Sequence, residues 1–294
     1  MHIGEKIKTL RQAKLMTQSE LAGNQITRNM LSSIEHGTAL PSLPTAMYIA
    51  ERLNVPVGYL LAGEEDELAY RKMTAMANIR RAYAARDWRG TLALVNAAGV
   101  GSADDELSLI RAQCEFGQAR REIEAGHLRP AVAALDRALQ AAEETVYDTG
   151  WLRRSIALYF RYLSSVSATL SSDILDADEV DCARAVGDPL SDYVMALDRA
   201  EHGEPCAAEY ARQHPDALYA DRLRALELMH EGDFETAQTV LERLLARDEL
   251  TFGVLLYEVF GDLELCYRKN DDYKRAYEFS GSRLGLLERL LEEV

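Results

Sequence analysis

Five polar residues fall on one side of a single short helical stretch. Arg28, Asn29, Ser32, Ser33 and His36 are spaced i, i+1, i+4, i+5 and i+8, so one helix presents them together. Arginine can fork onto a guanine edge or a phosphate, asparagine pairs with adenine, and serine serves either. Met30, Leu31 and Ile34 alternate with this set and are expected to turn the opposite way, into a small core.

Such a helix must be held firmly, and its surroundings carry the signals for that. Thr17-Gln18-Ser19-Glu20 is a capping box, and Met16 and Leu21 sit at the two positions of a hydrophobic staple. Gly23-Asn24 supplies turn chemistry. Thr27 is an N-cap with a second staple in Ile26 and Leu31, and Gly37 ends the helix. Ile3, Ile7 and Leu10 mark a preceding helix, with Lys6, Lys8, Arg11 and Lys14 on its other faces. Pro41-Ser42-Leu43-Pro44 opens a fourth helix with Met47, Ile49, Ala50 and Leu53 inward, and residues 57–61 close the unit. The first 63 residues thus read as five short helices. Two of them, joined by a tight turn, form a helix-turn-helix with a polar outer face. Gln18 stands at the amino end of the first of the pair, where free amides favour a phosphate.

Catalytic patterns are absent. The six histidines form no HExxH pair, and no P-loop, strand-linked GxGxxG or GxSxG elbow occurs. Asp173, Asp176, Asp178 and Asp181 lack calcium-loop spacing and read as a solvated acidic run. Cys114, Cys182, Cys206 and Cys266 show no CxxC or metal-knuckle spacing. The expectation is no enzyme, no metal and no cofactor.

Charge divides the chain. Of 294 residues with a net charge of −15, the first 63 carry six basic and four acidic side chains, and the remainder 27 and 44. A polyanion is repelled by most of this protein and tolerated by its first fifth. With 48% hydrophobic residues there is material for a sizeable core, yet no apolar run approaches the roughly 20 residues of a membrane span. Charges at residues 5 and 6 rather than an apolar stretch argue against a secretory signal, so a cytoplasmic address with reduced thiols is expected.

Residues 64–294 show helical periodicity in 68–86, 104–125, 151–171, 216–231 and 251–269, with almost no strand signal. The breaks after these segments resemble one another. Arg86-Asp87-Trp88, Gly126-His127-Leu128, Gly232-Asp233-Phe234 and Asp271-Asp272-Tyr273 each set a small or charged residue before a large one. Three residues later stands Thr91, Ala131, Ala237 or Ala276, small enough for two helices to approach, while the large residue is expected to plug the hairpin. Gly203-Glu204-Pro205 with Ala208 is a weaker copy. Trp88 to Leu128 spans 40 residues and Phe234 to Tyr273 spans 39. The pattern resembles tetratricopeptide repeats, which stack into a solenoid with a concave inner wall. The chain is therefore expected to be all-α, a five-helix head over residues 1–63 followed by a repeat array over 64–294.

Within 151–171 the apolar stripe is Leu152, Ile156, Tyr159, Leu163, Val166 and Leu170. Arg154, Arg161, Tyr162 and Ser165 lie on another face and could take a peptide carboxylate or an acidic side chain. A solvated helix face is the plainer reading of the same residues. Tyr193, Tyr219 and Tyr257 are similar candidates, as ligand groups or as core.

The stretch Leu15–Ala22, followed by Ile26–Gly37 and Pro41-Ser42, resembles the repressor-type (Xre/Cro) helix-turn-helix family. The resemblance implies major-groove binding to a palindromic operator of double-stranded DNA, as a homodimer. It matches Gln18 and Arg11 to phosphate-contacting positions and Arg28, Asn29 and Ser33 to base-reading positions, with Thr27, Ser32 and His36 on the same face. A repressor-type head on a tetratricopeptide-like body resembles the Rgg/PlcR-like peptide-pheromone receptors, which implies quorum-sensing control by a short signalling peptide and no membrane partner. Two other readings compete: an antitoxin-like repressor whose repeats serve only dimerisation or protein contacts, and an interaction scaffold with a retired head.

Overall fold

The computed structural model describes residues 2–99, 104–170, 188–216 and 218–292, and no strand occurs among them. The acidic run at 173–181 and Cys182 lie outside the described residues. Two compact units result, Met1–Ala85 with Ala93–Gly101, and Arg86–Leu92 with Ser102–Val294. The helix over 64–84 therefore belongs with the first unit, beyond the boundary drawn at residue 63.

The first unit begins with α1 (Ile3–Ala13), α2 (Gln18–Ala22), α3 (Arg28–Glu35), α4 (Leu43–Arg52) and α5 (Val57–Leu61), followed by α6 (Glu64–Ala84). The expected caps form. Thr17 accepts from the Glu20 amide while Glu20 reaches back to the Thr17 amide, and Thr27 and Ser42 cap α3 and α4. Ile7, Leu21, Ala22, Leu31, Ile34, Ile49, Ala50, Leu53 and Leu60 make one core. Two side chains depart from expectation. Met30 stays 39% exposed on the outer side, because α3 turns only Leu31 and Ile34 fully inward. Lys6 is buried, not on an outer face: its Nζ donates to the Tyr59 and Ala62 carbonyls at 3.2 and 2.9 Å and ties down the end of α5.

α7 (Trp88–Ala97) is followed in the second unit by α8 (Asp105–Glu124), α9 (Leu128–Glu143), α10 (Gly150–Val166), α11 (Pro189–Glu201), α12 (Ala207–Gln213), α13 (Tyr219–Glu231), α14 (Phe234–Leu245), α15 (Val254–Lys269) and α16 (Tyr273–Leu291). Helices α8 and α9, α13 and α14, and α15 and α16 pack as hairpins. Their turns share one backbone solution. Gly126, Gly232 and Asp271 take positive φ, as does Arg86 at the equivalent position before α7. The next residue, Asp87, Asp233 or Asp272, caps the following helix through its carboxylate. Thr91, Ala131, Ala237 and Ala276 are buried as expected. Trp88 fills the space left by Gly117 on α8, where a Cβ would meet the indole. Tyr273 differs: it is 64% exposed and plugs nothing.

Candidate functional site: the outer face of α3 and the groove beside α10

On α3, Thr27, Arg28 and Asn29 are exposed, Ser32 and Ser33 half-buried, and His36 exposed just past the end. Thr27 spends its hydroxyl on the Met30 amide at 3.1 Å. His36 Nδ1 lies 2.7 Å from the Ser32 carbonyl, and Thr38 donates to the Ser33 carbonyl at 3.0 Å, so the carboxyl end of the helix is tied off locally. Among the described residues Arg28 and Asn29 have no such commitment, and they stand exposed at the amino-terminal turn.

Behind this face lies a buried polar knot. Arg11 Nε and Nη2 donate to the two oxygens of Glu35 at 2.6 and 2.9 Å, and Nη1 donates to the Met16 carbonyl at 2.8 Å. Gln18 Nε2 adds a bond to Glu35 at 2.9 Å. Burial works to raise the Glu35 carboxyl, but the Arg11 and Gln18 hydrogen bonds outweigh it and hold the group below the usual carboxylate range. The knot joins α1, α2 and α3, so it fixes the angle of the outer helix. Arg11, expected at a phosphate, places its guanidinium on Glu35 and the Met16 carbonyl in this head. Gln18 stays half-buried at the amino end of α2, oriented by Glu35. Sequence reading missed the outer brace, in which Tyr48 donates to the Ala22 carbonyl and Arg52 to the Glu20 carbonyl, at 3.0 and 2.5 Å.

In the second unit, Arg161, Tyr162 and Ser165 come together in a cavity of about 140 Å³ with Val194, Leu197 and Asp198. Ser165 and Leu197 also line a cavity of about 330 Å³ that reaches Arg222, Tyr257, Glu258, Asp262 and Arg283. Arg154 is not brought to either cavity. It sits about two turns before Arg161 on α10, with its Nε buried and without a hydrogen-bond partner among the described residues. Arg161 pairs with Asp198 at 3.1 Å, both about half exposed.

Tyr162 is buried, and its hydroxyl donates to Glu258 at 3.3 Å. Glu258 also accepts from Tyr193 at 2.8 Å and lies 3.1 Å from Arg222. Arg222 forks onward to Asp262 at 2.7 Å and donates to the Tyr193 hydroxyl. Burial raises the Glu258 carboxyl, with Arg222 opposing it. Tyr193 and Tyr219 stack with ring centres 4.2 Å apart, so these tyrosines serve the core and the network at once. Arg222, Glu258 and Asp262 were missed because the groups they meet stand on other helices, with Asp262 and Tyr193 lying 40 and 29 residues from Arg222 in the chain. No group of three or more metal-binding side chains occurs, and no helix is long and apolar enough to cross a membrane, among the described residues.

Among solved structures, the chain is similar to PlcR of Bacillus thuringiensis in complex with the peptide PapR7 and DNA, at 15% identity over 99% of both chains with a TM-score of 0.28. It is also similar to ComR of S. thermophilus with DNA and its signalling peptide ComS, at 18% identity over 98% of this chain and 94% of that one, TM-score 0.23. The SHP pheromone receptor Rgg2 of Streptococcus dysgalactiae aligns at 15% identity over 83% and 98%, TM-score 0.20. No curated protein matches the chain. The family model described as helix-turn-helix matches residues 7–60, and that segment, from α1 through α5, is a helix-turn-helix domain.

Proposed function

We propose that the chain is a sequence-specific DNA-binding transcription regulator whose helical second unit responds to a ligand. The observation that supports this most is the outer face of α3, where Arg28 and Asn29 are exposed and uncommitted on a helix fixed from behind by Arg11, Glu35 and Gln18. Base-reading side chains must be held in register with the groove, and this arrangement meets that demand. The protein acts in the cytoplasm as a homodimer, with two heads in major grooves about 34 Å apart on a palindrome. It is not an enzyme in this reading. The ligand is a short peptide. Its carboxylate takes the place of Asp198 on Arg161, and its neighbouring groups enter the adjoining cavity beside Ser165.

The test begins with selection of an operator from random duplexes. Arg28→Ala is expected to lose about 1–3 kcal/mol on that operator and to relax discrimination at one base pair. An equal loss on all duplexes would remove the base-reading role. For the ligand, pooled synthetic heptapeptides are expected to raise the melting temperature of the full chain. Arg161→Ala should abolish that rise and leave operator affinity unchanged; joint loss of both would sink the sensor assignment.

A further inference from the structure

The first unit holds a cavity of about 400 Å³, larger than the two beside α10. Leu10, Val55 and Tyr59 line it from the helix-turn-helix domain, Ala75 from α6, and Leu94 and Ala97 from α7. That volume falls among small-molecule sites, which run from about 300 to 1,000 Å³. Two of its lining side chains are aromatic and already fixed. Tyr59 and Tyr70 meet edge to face, with ring centres 6.0 Å apart. Lys6 Nζ, which donates to the Tyr59 carbonyl at 3.2 Å, lies 5.2 Å from the centre of the Tyr59 ring. The Tyr70 hydroxyl rests on Gly58, where a Cβ would collide with it. An edge-to-face pair offers a third ring both a face to stack on and an edge to meet, so these walls favour an aromatic guest.

The rim sets the charge of that guest. Among the described residues, no acidic side chain lines the cavity. Thr74 spends its hydroxyl on the Tyr70 carbonyl at 2.8 Å, which leaves Arg71 and Asn78 as the exposed polar groups of α6 at the opening. The Arg71 guanidinium reaches across to the end of α7, where a Cβ on Gly99 would lie 3.5 Å from it. A guanidinium has five N–H donors, so it can take a carboxylate beside any other partner. Residues 68–103 carry six basic side chains and one acidic one, although acidic residues outnumber basic ones 44 to 27 over 64–294. A small anion is thus drawn to this stretch and repelled by most of the chain that follows it.

We propose that the first unit carries a site for an aromatic carboxylic acid, with its ring against Tyr59 and Tyr70 and its carboxylate on Arg71. The site is separate from the peptide cavity of the second unit, and its test needs neither DNA nor peptide. Naphthoate titrated calorimetrically into the full chain is expected to bind once per chain with a Kd below about 1 mM. Naphthamide, of the same shape but neutral, should bind about tenfold more weakly. Arg71→Met should weaken naphthoate about tenfold and leave naphthamide unchanged, so that the two probes become equal. Ala97→Phe, at the exposed rim, and Ala75→Leu, which fills the interior, should each exclude both probes without lowering the melting temperature. Bound naphthoate should slow amide exchange in α5 and α6. No binding, an acid no tighter than its amide, R71M that binds naphthoate like the parent, folded A97F and A75L that still bind both probes, or protection confined to the second unit would each overturn the proposal.

Discussion

The Arg11–Glu35 pair offers the sharpest test of how the head is built. Glu35 is 1% exposed in its side chain and Arg11 12%, and all three of the Glu35 bonds come from Arg11 and Gln18. Glu35→Ala strands a guanidinium in the interior, a loss of about 3–5 kcal/mol. The whole head, at about 60 residues, holds on the order of 6 kcal/mol. The variant head should therefore open far more often, and Arg11→Met should do nearly as much harm by stranding the carboxylate. Removing both charges in Arg11→Met with Glu35→Leu should cost under about 1 kcal/mol, because no buried charge is then left unpaired. Hydrogen exchange of α1 and α3 amides in the full chain, read by mass spectrometry, reports each value locally.

Two further readouts follow from the same geometry. The Glu35 carboxyl is held below its ordinary value in the folded head. Its contribution is thus complete above the unfolded value of about 4.3 and is lost as pH falls through the lower folded value. Exchange protection should be level from neutral pH to about 5 and decline in acid, and the R11M/E35L head should lack this part of the decline. That double variant should also keep the parental salt slope on the selected operator, since each lost phosphate contact would lower the slope by about 0.9. A slope reduced by about one unit would put Arg11 back on the DNA. A double variant as unstable as either single would refute the desolvation argument.

In the second unit, Arg222→Met should lower stability by about 3–5 kcal/mol, visible as a drop in melting temperature, because Glu258 and Asp262 lose their shared cation. Arg222→Met with Glu258→Met should recover part of that loss. Gly232, at φ +88° with open space about its Cβ position, should cost about 1–2 kcal/mol on conversion to alanine, from backbone strain alone. A neutral G232A in thermal unfolding would show that the turn rearranges.

What was legible in the sequence was whatever is settled within a few residues. Thr17, Thr27 and Ser42 announce their helices because a cap needs only the amide two or three positions on. The turns at Gly126, Gly232 and Asp271 were readable for the same reason. Lys6 was misread because its partners are distant in the chain: the carbonyls of Tyr59 and Ala62 lie 53 and 56 residues away, and Glu35, the partner of Arg11, lies 24 away and was hidden for the same reason. A basic side chain on a short amphipathic helix looks solvated until the neighbouring helix is placed. Arg222 is the same case on a larger scale, since Glu258 and Asp262 reach it from α15 and Tyr193 from α11. A completed buried pair contributes little net stability, whereas a half-made one is costly, so these knots act mainly by penalising every other register of the helices. In the head, the permitted register sets the tilt at which Arg28 and Asn29 are offered. In the second unit, it sets the distance between α11, α13 and α15, and with it the width of the cavity that Ser165 and Leu197 share with Arg161.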